Sequence, residues 1–195
     1  MDAKVIAAAR GEGRLVVTIA IVVASAVLAL FALGRPLTYR HGPLRLWSGD
    51  VASDQNSQQI SDPYTLTHVT HGIGLYALLA LAAGRWPLAD RLVAAVALEC
   101  AWEVIENTDF VIRRYRERTI ALGYYGDSVI NSVGDILAAV VGFALAAKLP
   151  RRATVAVVVA LEVTSLLWIR DSLLLNVLML VHPSETVKLW QTHGK

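Results

Sequence analysis

Apolar residues along this chain come in blocks long enough to cross a bilayer, separated by short polar turns. An α-helix rises about 1.5 Å per residue, so about 20 apolar residues span the hydrocarbon core. Helix-breaking residues such as Gly34, Gly84 and Pro150 end the blocks. The pattern predicts an all-α, polytopic membrane protein whose residues 1–195 form a single domain. The five predicted spans cover residues 14–34, 63–83, 88–108, 126–148 and 153–170.

The two ends of the chain differ from the middle in their pattern of apolar residues. Near the C-terminus, the apolar run 173–181 is too short to cross a membrane, so we expect an interfacial or re-entrant helix within 173–190. Near the N-terminus, Arg10 and Arg14 precede the first apolar block as in a signal peptide. The block runs well past a faint cleavage-like sequence at 24–26, which favours a membrane anchor.

Composition agrees with a membrane protein, since 55% of the residues are hydrophobic and only 17% are charged. The net charge of +2, with no basic patch interleaved with aromatics, gives no reason to expect a nucleic-acid partner. The single cysteine, Cys100, lies inside an apolar block and cannot form an intrachain disulfide. A small buried side chain is its predicted role.

Basic residues in the short turns predict the orientation. By the positive-inside rule they favour a cytoplasmic N-terminus in the bacterial inner membrane, although the arginine-rich segment 113–118 favours the reverse. These turn residues are Arg85, Arg91, Lys148, Arg151 and Arg152.

Polar residues inside the predicted spans are costly, at about 2.5–3.5 kcal/mol for each charged group, and so require a reason. Within each of three spans they recur at helical spacing, which places them on one face. The second span carries His68 and His71; the third carries Glu99, Glu103 and Glu106, followed by Asn107; the fourth carries Asp127, Asn131 and Asp135; the fifth carries Glu162 and ends in Arg170 and Asp171.

Because the spans alternate in direction, these polar groups are predicted to lie near the same face of the membrane. Successive spans run in opposite directions, so the second and fourth begin at the face where the third and fifth end. Glu99 and Asp135 lie about 10–12 Å deeper than the groups at the mouth. The sequence therefore predicts a polar funnel that opens to one membrane face, which is the periplasmic face in the favoured orientation.

Imidazoles grouped with carboxylates suit a divalent metal, zinc first and iron or manganese next. A bound metal would offset the crowding of the carboxylates and could generate hydroxide near neutral pH. The predicted ligands are His68, His71, Glu103 and Asp127.

Catalytic roles can be assigned to the other polar residues of the funnel. Glu106 or Asp135 would act as general base, while Asn107 and Asn131 would orient substrate or water. Arg170 would bind an anionic group. The sequence thus favours a metal-dependent membrane hydrolase or transferase acting on a lipid-linked or envelope substrate.

Other interpretations of the same residues stay open. The funnel could bind and move a proton or cation, or it could only fix helix packing in a subunit of a membrane complex that docks through the first span. Asp127 could cap a helix, Glu162 could pair with Arg170, and the arginines at 113–118 could form a collar that contacts membrane lipid. Gly72 and Gly74 favour close helix packing.

Four runs contain most of these polar positions: HxxHG at 68–72, WExxEN at 102–107, YYGDSxxNSxxD at 124–135 and IRDxLxLN at 169–176. They resemble a bacterial integral-membrane family of unknown function, over roughly residues 34–190. The resemblance implies a membrane protein without an assigned activity. A looser likeness connects the Glu-x-x-Glu and Gly-Asp-x-x-x-Asn elements with VanZ-like membrane proteins.

Overall fold

The computed structural model describes residues 3–119 and 123–192. Within these ranges the chain forms eight helices, so the predicted all-α class is confirmed. The helices are α1 (Ala3–Ala32), α2 (Thr65–Ala82), α3 (Leu88–Glu106), α4 (Asp109–Arg118), α5 (Val129–Lys148), α6 (Arg151–Ile169), α7 (Leu173–Val181) and α8 (Glu185–Thr192).

Four helices of the described chain are long and apolar enough to cross a membrane: α1 over Gly11–Ala32, α2, α5 and α6. This fits the predicted polytopic helical membrane protein. The remaining predicted span, α3, has 19 residues, but charged side chains at both ends make it less apolar. It packs between α1, α2 and α5, and its acidic residues Glu99 and Glu103 face the interior of the bundle.

The centre of the bundle is the contact between α2 and α5. A Cβ atom added at Gly72 would lie 1.8 Å from Ala139 O, and one added at Gly142 would lie 2.0 Å from Val69 O. Only glycine allows the two backbones to approach so closely. The packing role predicted for Gly72 is therefore confirmed. For Gly74 the same prediction is wrong, because nothing lies within 4 Å of its added Cβ.

The polar segment 33–64 folds onto the N-terminal end of α5. Val129 N–H donates to Pro36 O at 2.8 Å, and Ile130 N–H donates to Leu37 O at 3.1 Å. The first N–H groups of a helix have no partner inside that helix. The segment supplies partners here, so it is an ordered part of the bundle.

Buried polar side chains hold this segment in place. Gln58 donates to Gly126 O at 2.8 Å, and Asn131 donates to Gln59 O at 2.9 Å. Asp62 accepts from the Ser57 and Tyr64 N–H groups, each at 2.8 Å. Because these three side chains are hydrogen-bonded, they tolerate a depth at which unpaired polar groups are costly.

Helix α4 holds the C-terminal helices against the bundle. Arg114 Nε donates to Leu180 O at 2.5 Å, and Lys188 Nζ donates to Glu117 O at 2.8 Å. Arg114 is thus a packing residue between α4 and α7, rather than part of a lipid collar. The predicted interfacial segment 173–190 forms two short helices, α7 and α8.

Candidate functional site

A cavity of about 270 Å³ lies where α2 and α5 begin and α3 ends, with one wall formed by α7. The alternation of the spans predicted this meeting of helix ends. No Lys or Arg occurs among the lining residues that the structure describes. The ionisable groups and amides of the lining are Asp62, Glu106, Asp127 and Asp135; His68 and His71; Tyr64, Tyr115 and Tyr124; Asn56 and Asn176.

Two histidines on one face of α2 meet a carboxylate of α3. His68 Nδ1 lies 2.7 Å from Glu99 Oε1, and His71 Nδ1 lies 3.1 Å from the same oxygen. The two imidazole rings are 4.9 Å apart. One ligand atom of each of these residues lies within 4.8 Å of the others, so the three could hold one metal ion. Sequence reasoning placed Glu99 in the funnel but did not select it as a ligand.

A second group shares His68 and adds the next two acidic residues of α3. His68 Nδ1 lies 3.4 Å from Glu103 Oε1, and Glu106 completes a set that also fits within 4.8 Å. Glu103 is almost completely buried. Neither of its carboxylate oxygens has a hydrogen-bond partner among the described residues. A buried carboxyl group without hydrogen-bond partners is rare, and either a proton or a nearby cation would offset its cost.

Asp135 approaches His68 from the opposite side. Its Oδ2 lies 3.9 Å from His68 Nε2, and its Oδ1 accepts a hydrogen bond from Thr65 Oγ1 at 3.0 Å. Carboxylates of α3 and α5 therefore surround one imidazole. This field favours positive charge at the centre of the cavity, either an imidazolium or a metal ion.

Asp127 lines the cavity, but its carboxylate already has partners. Its Oδ2 accepts from Asn107 Nδ2 at 2.7 Å and from Tyr124 OH at 2.9 Å. Its own N–H donates to Asn107 Oδ1 at 2.7 Å. Asp127 belongs to neither group of potential ligands. Asp127 therefore lines the cavity but lies outside both groups of residues whose ligand atoms converge.

The two asparagines predicted to orient substrate do not line the cavity. Asn107 is fully buried and joins the end of α3 to the residues just before α5. Asn131 is equally buried and holds the segment containing Gln59 and Asp62. Both residues lie outside the cavity and hold in place the residues that line it.

The structure does not bring Arg170 to the cavity. Its φ of +55° ends α6 in the left-handed region, and its guanidinium turns toward α8. There it donates to Trp190 O at 2.9 Å and lies over the Trp190 ring. The alternative pairing with Glu162 is wrong as well, because Glu162 accepts from the Leu173 and Leu174 N–H groups and caps α7.

Asp171, the residue after Arg170, lies on the cavity side and hydrogen-bonds to residues of the cavity wall. It accepts from Tyr64 OH at 3.3 Å and from Asn176 Nδ2 at 3.3 Å. Burial raises the pKa of this carboxyl from 3.8 to about 6, against the lowering effect of its hydrogen bonds. Asp171 binds its proton more tightly in the folded state than in the unfolded chain. The free energy of unfolding therefore falls as the pH rises from 4 to 6.

Aromatic residues of the cavity were largely missed. Trp102 and Tyr124 match an interfacial belt by position, yet both line the cavity. Tyr115 OH donates to Asn176 Oδ1 at 3.1 Å, and its ring packs edge-on against Tyr124. Trp102 could have been found, because it lies three residues after Glu99 on the same face of α3. No pattern in α4 marked Tyr115.

Comparison with known proteins identifies the family. A model described as "Protein of unknown function (DUF2585)" matches residues 30–193. The chain belongs to this family. It is 50% identical to a UPF0314 protein of Paracoccus denitrificans over 88% of this chain and 89% of that protein. It is 48% identical to a UPF0314 protein of Brucella anthropi over 84% and 83%, and 48% identical to one of Rhizobium meliloti over 87% and 86%.

No solved structure matches the chain. The resemblance predicted from the polar runs is confirmed as an uncharacterised bacterial family, and the DUF2585 match contains every residue of the cavity. Family membership assigns no chemistry, so the site has to be interpreted from its own geometry.

Proposed function

We propose that the cavity binds a divalent cation and that the protein is a metal-dependent membrane enzyme of the hydrolase or transferase class. The observation that carries this proposal is the convergence of His68, which lines the cavity, with His71 and Glu99, whose ligand atoms all lie within 4.8 Å of one another. Zinc is the first candidate, because it takes imidazole nitrogen and carboxylate oxygen together. Iron and manganese also suit such a set.

The spacing of the ligand atoms supports this assignment. Bonds of about 2.0–2.2 Å in tetrahedral geometry separate neighbouring ligand atoms by about 3.3 Å. The His68–Glu99, His71–Glu99 and His68–Glu103 separations are 2.7, 3.1 and 3.4 Å. Small rotations of these side chains would therefore admit an ion. Glu99 replaces Asp127 in the ligand set predicted from sequence.

Charge supports it as well. Four carboxyl groups line the cavity, and two more, Glu99 and Glu103, contact His68. Lys and Arg are absent from the lining that the structure describes. A divalent cation would offset part of this negative charge and give the carboxylate oxygens of Glu103 a partner.

The chemistry follows from what surrounds the proposed ion. A metal held by His68, His71 and Glu99 would supply Lewis acidity and would make a nearby water more acidic. Glu106 and Asp135 line the same cavity and would accept a proton there as general bases. The Tyr115 and Tyr124 phenol protons are donated to Asn176 and Asp127, so their oxygens can accept a hydrogen bond from a substrate hydroxyl. In the orientation favoured by the basic turns, the cavity lies toward the periplasmic face of the inner membrane.

The test is metal content. Detergent-purified protein, loaded with Zn²⁺, Mn²⁺ or Fe²⁺ and then desalted, is measured by inductively coupled plasma mass spectrometry. We expect close to one ion per chain, and at least about a tenfold loss of affinity in His71→Ala and Glu99→Gln. Glu162→Gln is the matched control, because the Glu162 carboxylate caps α7 and belongs neither to the cavity lining nor to either group of potential ligands.

The proposal fails if folded wild-type protein retains none of the three ions. It fails equally if His71→Ala and Glu99→Gln bind as much metal as Glu162→Gln.

A further inference from the structure

An apolar recess of about 300 Å³ lies beside the cavity, between α2 and α3. Gly74 and Leu75 form its α2 wall, and Leu98 forms part of its α3 wall. Nothing lies within 4 Å of a Cβ added at Gly74, so this glycine leaves space that a larger residue would fill. The recess is an open feature of the surface between the two helices.

The recess is continuous with the cavity. His71, Trp102 and Leu173 line both of them. His71 is also one of the proposed metal ligands, so a molecule that extends from the recess into the cavity passes directly beside the proposed ion. Trp102 forms the boundary, with its ring edge-on to His71.

Depth indicates what surrounds the recess. Gly74 lies nine residues into α2, or about 14 Å from its start, and Leu98 lies eight residues before the end of α3, or about 12 Å. These depths approach the middle of a hydrocarbon core about 30 Å thick. The recess therefore faces lipid chains rather than water.

We propose that the recess holds the hydrocarbon chain of an amphipathic lipid whose polar head lies in the cavity. The head bears hydroxyl groups and no phosphate, because the described lining has no Lys or Arg and its four carboxyl groups exceed the charge of one divalent ion. Hydroxyl donors match these acceptors. Lipid binding stands on the recess itself; only the conversion of that lipid rests on the proposed metal-dependent activity.

The test fills the recess from Gly74, which is not a proposed ligand. His71 and Glu99 also line the recess, so metal content is measured on the same samples. Gly74→Trp places an indole where the structure leaves space. Leu81→Trp is the matched control, because Leu81 lies on the same helix, is 88% exposed and does not line the recess. The probe is a monoacylglycerol with a photoreactive diazirine midway along its chain, added to each purified protein in detergent. Labelled peptides are then identified by mass spectrometry.

We expect wild-type protein and Leu81→Trp to be labelled at recess residues such as Leu75 and Leu98. Labelling in Gly74→Trp should fall about tenfold, as for a loss of about 1.4 kcal/mol in binding. Equal labelling of Gly74→Trp and Leu81→Trp would overturn the proposal. Equally strong labelling by a lysophosphatidic acid carrying the same chain would overturn the assignment of the head group.

Metal content, measured on the same samples, separates the two proposals. If Gly74→Trp loses labelling and keeps its metal, both proposals are supported. If wild-type protein holds no metal but shows the selective labelling, lipid binding stands and the metal-dependent activity falls.

Discussion

Substituting alanine for Gly72 tests whether the bundle depends on direct backbone contact between α2 and α5. The added methyl group would lie 1.8 Å from Ala139 O and 2.6 Å from Ala139 C. Both neighbours are backbone atoms of a helix, so neither can rotate away. Ordinary contact begins near 3.4 Å, so the helices would have to separate locally by about 1.6 Å.

The cost follows from that displacement. Overpacking of a well-packed interior costs about 1–3 kcal/mol and occasionally more. Gly74→Ala is the matched control, because the same methyl group enters open space two residues away on the same helix. There alanine should stabilise by up to about 1 kcal/mol through its higher helix propensity. The two substitutions therefore have opposite predicted signs.

Cys100 provides the assay. It is the only cysteine in the chain, and it is buried against Ala26, Val96 and Ile136. A thiol-reactive fluorophore would report its exposure as the detergent-solubilised protein is heated. We expect Gly72→Ala to lower the midpoint by about 2–4 °C for each kcal/mol lost, and Gly74→Ala to leave it unchanged or raise it. Equal midpoints for the two variants would refute the close-contact argument.

Two further predictions concern the hydrogen bonds behind the cavity. Asn107→Asp sets a carboxylate against Asp127 at a distance of 2.7 Å and should lower the same unfolding midpoint by several degrees, equivalent to about 1–3 kcal/mol; an unchanged midpoint would contradict the contact. Asp171→Asn cannot ionise, and the folded-state pKa of Asp171 is raised to about 6. From pH 4 to pH 7 the wild-type protein should therefore lose on the order of 3 kcal/mol of unfolding free energy relative to the variant, measured by denaturant titration at each pH; parallel pH curves would contradict this.

Helical periodicity and alternating spans were sufficient to bring His68, Glu103 and Asp135 together. The reason is geometric, because residues three or four positions apart share a helix face and alternate helix ends share a membrane face. These rules involve no detail of side-chain conformation. They hold for residues inside helices.

Residues at helix ends were predicted less well, because a helix rule does not extend through its cap. Arg170 adopts a left-handed conformation, which reverses the direction of its side chain relative to the face of α6. Asp171 consequently supports the cavity wall through Tyr64 while Arg170 contacts Trp190. The side chains of Arg170 and Asp171 thus contact different parts of the protein, and the spacing of polar residues in the sequence does not predict the left-handed backbone of Arg170.

The segment 33–64 shows a different difficulty. Its polar composition is typical of a surface loop, yet Gln58, Gln59 and Asp62 are among the most buried residues of the protein. They can be buried because each is hydrogen-bonded, in part to residues far away in the sequence, as the Gln58 amide is to Gly126 O. Long-range partners of this kind leave no periodic signal in the sequence.

The inner end, or floor, of the cavity indicates whether the polar cluster is a binding site or part of a proton or cation pathway. Below Glu99 and Asp135, α2, α3 and α5 meet through Leu79, Ala95 and Phe143, and the remaining void there is only about 10 Å³. A proton or cation route would need connected polar groups continuing to the opposite face. A closed apolar floor instead keeps water away from one side of the imidazoles and strengthens the electrostatics around them. In the part of the chain that the structure describes, the cavity continues sideways into the recess between α2 and α3, which suits a site that receives its substrate from the bilayer.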